Sequence, residues 1–110
     1  MTFKALPPRS DLLWVGVDLD NTLAEGIWTP DNPTADIGDP IWKNVEKLHR
    51  LVESGKKAVV HTARPWTDFE TIEAWYRYYS LPISNIQCGK PLFYRYVDDR
   101  AINADEEEWF

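Results

Sequence analysis

Apolar positions along the chain follow two rhythms. In some stretches β-forming side chains stand side by side. In others, apolar residues recur every three or four positions, the spacing of one helix face. Leu12–Asp18 is of the first kind and predicts a strand whose buried part is Trp14–Val17. Ile41, Val45, Leu48 and Val52 are of the second kind. They predict an amphipathic helix with Asp39 as its N-cap, Pro40 in its first turn and Gly55 as its stop. Lys57–Thr62 begins polar and turns apolar through Ala58, Val59 and Val60, a second strand. Phe69, Ile72, Trp75, Tyr76 and Tyr79 form a stripe that reads as the core face of a second helix. Thr67 or Asp68 is its expected cap, and Pro82 bars its continuation. A short third strand is expected within Ile83–Cys88, and a fourth at Tyr94–Asp98. Strands alternating with helices imply βαβ units, parallel pairing and right-handed crossovers. The expected architecture is a minimal three-layer α/β fold, with three or four parallel strands in the order 3-2-1-4 and helices on both faces.

The rest of the chain is connection. Met1–Ser10, with Pro7-Pro8, reads as an extended lead-in, and Ala24–Pro40 as a loop or flap with a small hairpin around Gly26–Thr29. Residues 101–110 are an acidic tail in which Trp109 and Phe110 follow Asp105–Glu108; it reads as a frayed helix end or a docking tail. With no repeat, low-complexity tract or linker, residues 1–110 are one domain. Its 44% hydrophobic content is ample for a core. The net charge of −6 excludes attraction of long nucleic acid through the overall field, and leaves a single phosphate or a nucleic-acid end to a local basic site. One cysteine, Cys88, excludes an intrachain disulfide and a paired-cysteine metal site, and is expected as a small buried residue. No segment has the length for a signal or a membrane span, so a soluble, cytoplasmic protein is expected.

Chemistry collects at the predicted strand ends. The first strand runs into Asp18 and Asp20, with a hydroxyl at Thr22. Two crowded carboxylates repel each other unless a cation or a proton-transfer role compensates, and a magnesium ion suits such oxygen ligands. A plain Asx-type turn is the other reading of this segment taken alone. The second strand ends in His61-Thr62-Ala63-Arg64 and the fourth in Asp98-Asp99-Arg100, with Gly89-Lys90-Pro91 just before it. A carboxylate nucleophile, a cation-binding acid set, a hydroxyl and a lysine are the parts of phosphoryl transfer through an aspartyl-phosphate. In that reading Asp18 attacks phosphorus, and Thr62 and Lys90 hold the transferring oxygens. Arg64 is expected on phosphate or substrate, with a surface pairing to Asp68 as the other reading, Arg100 either on substrate or screening Asp98 and Asp99, and His61 in a buried, hydrogen-bonded role. Trp28, Trp42 and Trp66 flank the expected mouth; packing is their default role, with base or sugar stacking open to Trp28 and Trp66. A receiver domain uses similar residues, but its paired acids precede the phosphorylated one, and the order here differs.

The ordered set DLDNT, HTAR, GK and VDDR resembles the four motifs of the haloacid dehalogenase (HAD) superfamily, over Val15–Arg100. The resemblance implies a Mg²⁺-dependent phosphatase with Asp18 as nucleophile and Asp20 as general acid and base. It also implies a magnesium site made by Asp18, the main-chain carbonyl of Asp20, and Asp98 or Asp99. Asn21 stands where many members have Gly, and Asn tolerates the tight turn. Neither Leu23–His61 nor Ala63–Gly89 leaves room for a cap domain. The chain is thus similar to small capless members, including the 3′-phosphatase domains of bacteriophage polynucleotide kinase/phosphatases. Such members act on substrates that bring their own bulk, such as nucleic-acid ends or proteins, or borrow a neighbouring subunit as a lid. The expected substrate is a nucleotide, a nucleic-acid end or a small phosphorylated metabolite, and a second copy of the chain is the expected lid. The alternative is a non-catalytic module that binds a phosphorylated partner or serves in assembly.

Overall fold

The computed structural model describes residues 13–110; the expected lead-in Met1–Ser10 and the Leu12 start of the first strand lie outside them. Strand β1 (Trp14–Val17) leads through a long loop to helix α1 (Trp42–Glu53) and strand β2 (Lys57–His61). A single 3₁₀ turn (Trp66–Asp68) then runs into helix α2 (Phe69–Tyr78), and strand β3 (Asn85–Gln87) follows. The three strands are parallel, with β2 in the middle. Val17 pairs with Val60, and Val60 with Ile86, so one apolar row crosses the sheet. That row packs with Leu48 and Leu51 of α1 and with Ile72 and Tyr76 of α2, all without solvent exposure.

Helix α1 starts two residues later than its cap signal suggests. Ile41 holds the N-cap position and no side chain caps the helix. The reason lies in the backbone: Glu25 N–H donates to the Asp39 carbonyl, and Ile41 N–H to the Leu23 carbonyl, each at 2.8 Å. The chain around Asp39 is thereby paired with the chain around Ala24, and this pairing overrides the local cap. The helix stops where expected, at Gly55, whose φ of +98° is costly for any residue with a Cβ. Helix α2 ends at Tyr78 and the chain reverses at Ser80, φ +54°, before Pro82 is reached.

Two expectations are corrected. Both helices pack on the Val17–Val60 face, so the described residues form two layers and not three. The opposite face, with Gly16, Val59, His61 and Gln87, floors an open cleft. Nor is Tyr94–Asp98 a strand, so the four-stranded order 3-2-1-4 is not formed among the described residues. A parallel crossover needs about a dozen residues, and Cys88–Phe93 is too short to supply one together with a covering helix. The tail, by contrast, docks. Trp109 is buried in the core cluster and donates to the Ala104 carbonyl at 3.1 Å, while Arg50 of α1 reaches the Glu107 carbonyl and the Glu108 carboxylate. No helix among the described residues is long and apolar enough to cross a membrane.

Candidate active site

Asp18 follows the last residue of β1 directly, at the carboxyl edge where open α/β sheets hold ligands. Beyond it the backbone winds around one buried carbonyl. The Thr22, Leu23 and Ala24 N–H groups all point at the oxygen of Leu19, at 3.1, 2.9 and 3.0 Å. Leu19, Leu23 and Ala24 are fully buried, which fixes the turn to the core. Asn21 sits at φ +64°, the left-handed conformation expected of it, and its side-chain oxygen accepts from Gly26 N–H. From α1, Asn44 braces the turn by donating to the Thr22 carbonyl at 2.7 Å. Its signal in the sequence was a polar residue on the apolar face shared with Leu48 and Leu51. The flap lies close on this turn: a Cβ at Gly26 would stand 2.8 Å from Asn21 N, and one at Gly38 would collide with the Glu25 carbonyl oxygen.

Two ion pairs divide the acids. Lys90 Nζ lies 3.3 Å from Asp18 Oδ1, and the same oxygen accepts Leu19 N–H at 2.8 Å. The lysine is delivered by backbone bonding: Gly89 N–H donates to Arg64 O, and Lys90 N–H to Thr62 O. Gly89 has φ +77°, so the turn into Lys90 favours glycine. Asp18 remains 41% exposed in its side chain and lines a cleft of about 450 Å³ with Thr22, His61, Lys90 and Tyr96. Asp20 is held differently. Arg64 Nε donates to its Oδ2 at 2.8 Å and Nη2 to its Oδ1 at 2.9 Å, a fork-to-fork pair. Arg64 is 2% exposed and its remaining donors go to the Ala35 and Asp36 carbonyls and the Asp68 carboxylate. Burial works against the guanidinium charge, but hydrogen bonding and attraction from Asp20, then Asp68, outweigh it and leave its pKa above the ordinary value. Thr62 is buried, and its hydroxyl accepts Arg64 N–H at 3.1 Å.

The later acids stand apart. Asp98 lines a neighbouring cleft of about 520 Å³ that shares Gly16, His61 and Lys90 with the first, and it accepts Arg100 N–H at 2.9 Å. Asp99 is exposed. Among the described residues no three His, Cys, Asp or Glu side chains gather as a metal would need. With Asp98 lining a different cleft from Asp18, and Asp99 exposed, the side chains as placed do not fit the expected magnesium site.

Burial shifts several of the surrounding groups toward their neutral forms. His61 is exposed where a buried residue was expected; even so, desolvation and then Lys90 push its pKa down, with Asp18 opposing. Tyr76 is pushed well up by burial, with the charges of Asp18 and Asp20 adding. Cys88 is buried as expected, and burial, then Asp68, raises its thiol to about 11. Trp66 is exposed and stacks on Phe69, whereas the Trp28 ring lies 5.7 Å from the Arg64 guanidinium carbon. Sequence reasoning missed Tyr96, whose ring lies 5.7 Å from Lys90 Nζ; nothing in its apolar-aromatic segment marked it.

No family model and no curated protein matches the chain. Among solved structures, it is similar to a structural-genomics target of unstated function from Vibrio cholerae, with 27% identity and a TM-score of 0.66, over 84% of this chain and 85% of that one.

Proposed function

We propose that this chain is a phosphomonoester hydrolase of the HAD type that works through a phosphoryl group carried on Asp18. The observation that supports it most is the Asp18–Lys90 pair at the tip of β1, open to a cleft, with Asp20 two residues on. A carboxylate oxygen of Asp18 attacks phosphorus; the new O–P bond forms as the bond to the ester oxygen breaks, and the leaving oxygen takes the proton carried by Asp20, which is left as a carboxylate. Lys90 supplies positive charge to the transferring oxygens. Water then attacks the same phosphorus, its proton passes to Asp20, and the Asp18–phosphorus bond breaks to give inorganic phosphate and free enzyme. Asp18→Asn should cut turnover of an aryl phosphate by on the order of 10³-fold or more, with an unchanged circular dichroism spectrum. Retained turnover would sink the mechanism.

Magnesium belongs to the proposal as a separate part. A bound Mg²⁺ would supply positive charge beside Asp18, but it needs Asp98 or Asp99 to come to that cleft, and no step above passes through it. A chelator is expected to silence the enzyme, and a chelator-resistant rate would remove the metal. The open cleft suits a substrate with its own bulk, a nucleotide or nucleic-acid end, and with a lid from a second copy it suits a small phosphorylated metabolite; the proposed location is the cytoplasm. Light scattering would reveal a second copy of the chain as lid. One observation favours the alternative of a binding module: the four acids are not gathered as placed. Binding of phosphorylated compounds, nucleotides and end-phosphorylated oligonucleotides included, without turnover of any, would support that alternative.

A further inference from the structure

We infer that Arg64 is a positioning residue: it holds Asp20 as a hydrogen-bond acceptor for the second, hydrolytic step, and ties that carboxylate to the flap. The inference rests on the proposed hydrolase. Arginine has five N–H groups and no acceptor. The five bonds from Arg64 match them, one from Nε and two from each terminal nitrogen. A guanidinium 2% exposed with every donor engaged has none left for a substrate phosphate, so its effect on chemistry passes through Asp20. Because the clamp takes an N–H on each Asp20 oxygen, the carboxylate stands as an acceptor, the form that receives a proton from attacking water.

The same guanidinium spans three segments. Its Nη1 donates to the Ala35 carbonyl at 3.0 Å and to Asp68 at 3.5 Å, and its Nη2 to the Asp36 carbonyl at 3.4 Å. The flap, the turn after β1 and the start of α2 therefore share one side chain, with the Trp28 ring against it. Lysine cannot reproduce this: it keeps the charge but is a point donor without the planar fork. Charge alone and geometry are thus separable by substitution.

The test begins with Arg64→Lys on an aryl phosphate. kcat should fall about 10²-fold with KM falling alongside it, so that kcat/KM stays within about twofold, and pre-steady-state kinetics should show a burst of aryl release as phosphoenzyme accumulates. Arg64→Gly should be partly restored by added guanidinium ion. A raised KM with kcat retained would mean that Arg64 touches the phosphate, and would overturn the inference. So would slowing of the first step with no burst. Because these variants can lose fold stability, the Arg64 Nε–H resonance of the full chain gives an independent reading. It should exchange slowly in the wild type and quickly in Asp20→Asn; equal exchange in both overturns the clamp. If the wild type hydrolyses no phosphomonoester, the hydrolase reading fails, and this resonance alone decides whether Arg64 holds Asp20.

Discussion

Two stretches of this chain end in paired acids, and they are built in opposite ways. Around Asp18 and Asp20, the chain is pinned by fully buried Leu19, Leu23 and Ala24, by one carbonyl that accepts three N–H groups, and by Asn44 from a helix. Around Asp98 and Asp99, residues 91–100 are all exposed; Val97 is 102% exposed, as open as it would be in a free peptide. Within that second stretch the Tyr96 hydroxyl donates to the Pro91 carbonyl and Arg100 N–H to the Asp98 carboxylate. A pair of carboxylates is positioned when apolar neighbours anchor its backbone, and only loosely placed when they do not.

The largest test of this contrast is thermodynamic. Leu23→Ala empties a fully buried position and should cost about 2–5 kcal/mol, whereas Val97→Ala should stay within about 0.5 kcal/mol. Urea unfolding of both variants measures the two directly. Similar losses would show that the second stretch is anchored after all. A smaller effect separates the stretches by accessibility: trypsin should cut after Arg95 and Arg100 well before it cuts after Lys47 or Arg50, which lie within helix α1. Millimolar Mg²⁺ that slows the early cuts would join the two acid pairs.

The smallest effect concerns His61. Its pKa in the folded protein lies below the ordinary 6.5, so the unfolded chain binds the proton more readily. Stability should therefore decline as pH falls below about 6.5, through the interval down to the folded value, and His61→Asn should flatten that slope. An unchanged slope would assign the acid sensitivity to other groups.

The pinned half of the molecule was also the legible half. The Ala58–Val60 run and the spacing of Ile41, Val45 and Leu48 state burial directly, and β2 and α1 form there because period and packing agree. Asn21 announced its left-handed turn, and the order of Asp18, Thr62 and Lys90 placed all three near the tip of one sheet. The Asp39 cap failed because strand-like pairing with the flap competed for the same backbone, a partner distant in sequence. The fourth strand failed because Tyr94–Val97 has the composition of a strand but no connection long enough to carry it beside β1. Arg64 looked like a phosphate ligand because it follows a strand end. Of its partners only Asp68, four residues on, was legible as one; the acceptors from Asp20, Ala35 and Asp36 come from segments that no local pattern unites.

The proposed chemistry turns on the group that Asp18 carries during turnover. Acid quenching with an aryl phosphate present, followed by peptide mass spectrometry, tests this most directly. The account predicts one base-labile phosphoryl group on the peptide that holds Asp18, and none in Asp18→Asn. Turnover with no phosphorylated enzyme, or with the phosphoryl group on a different residue, would contradict it.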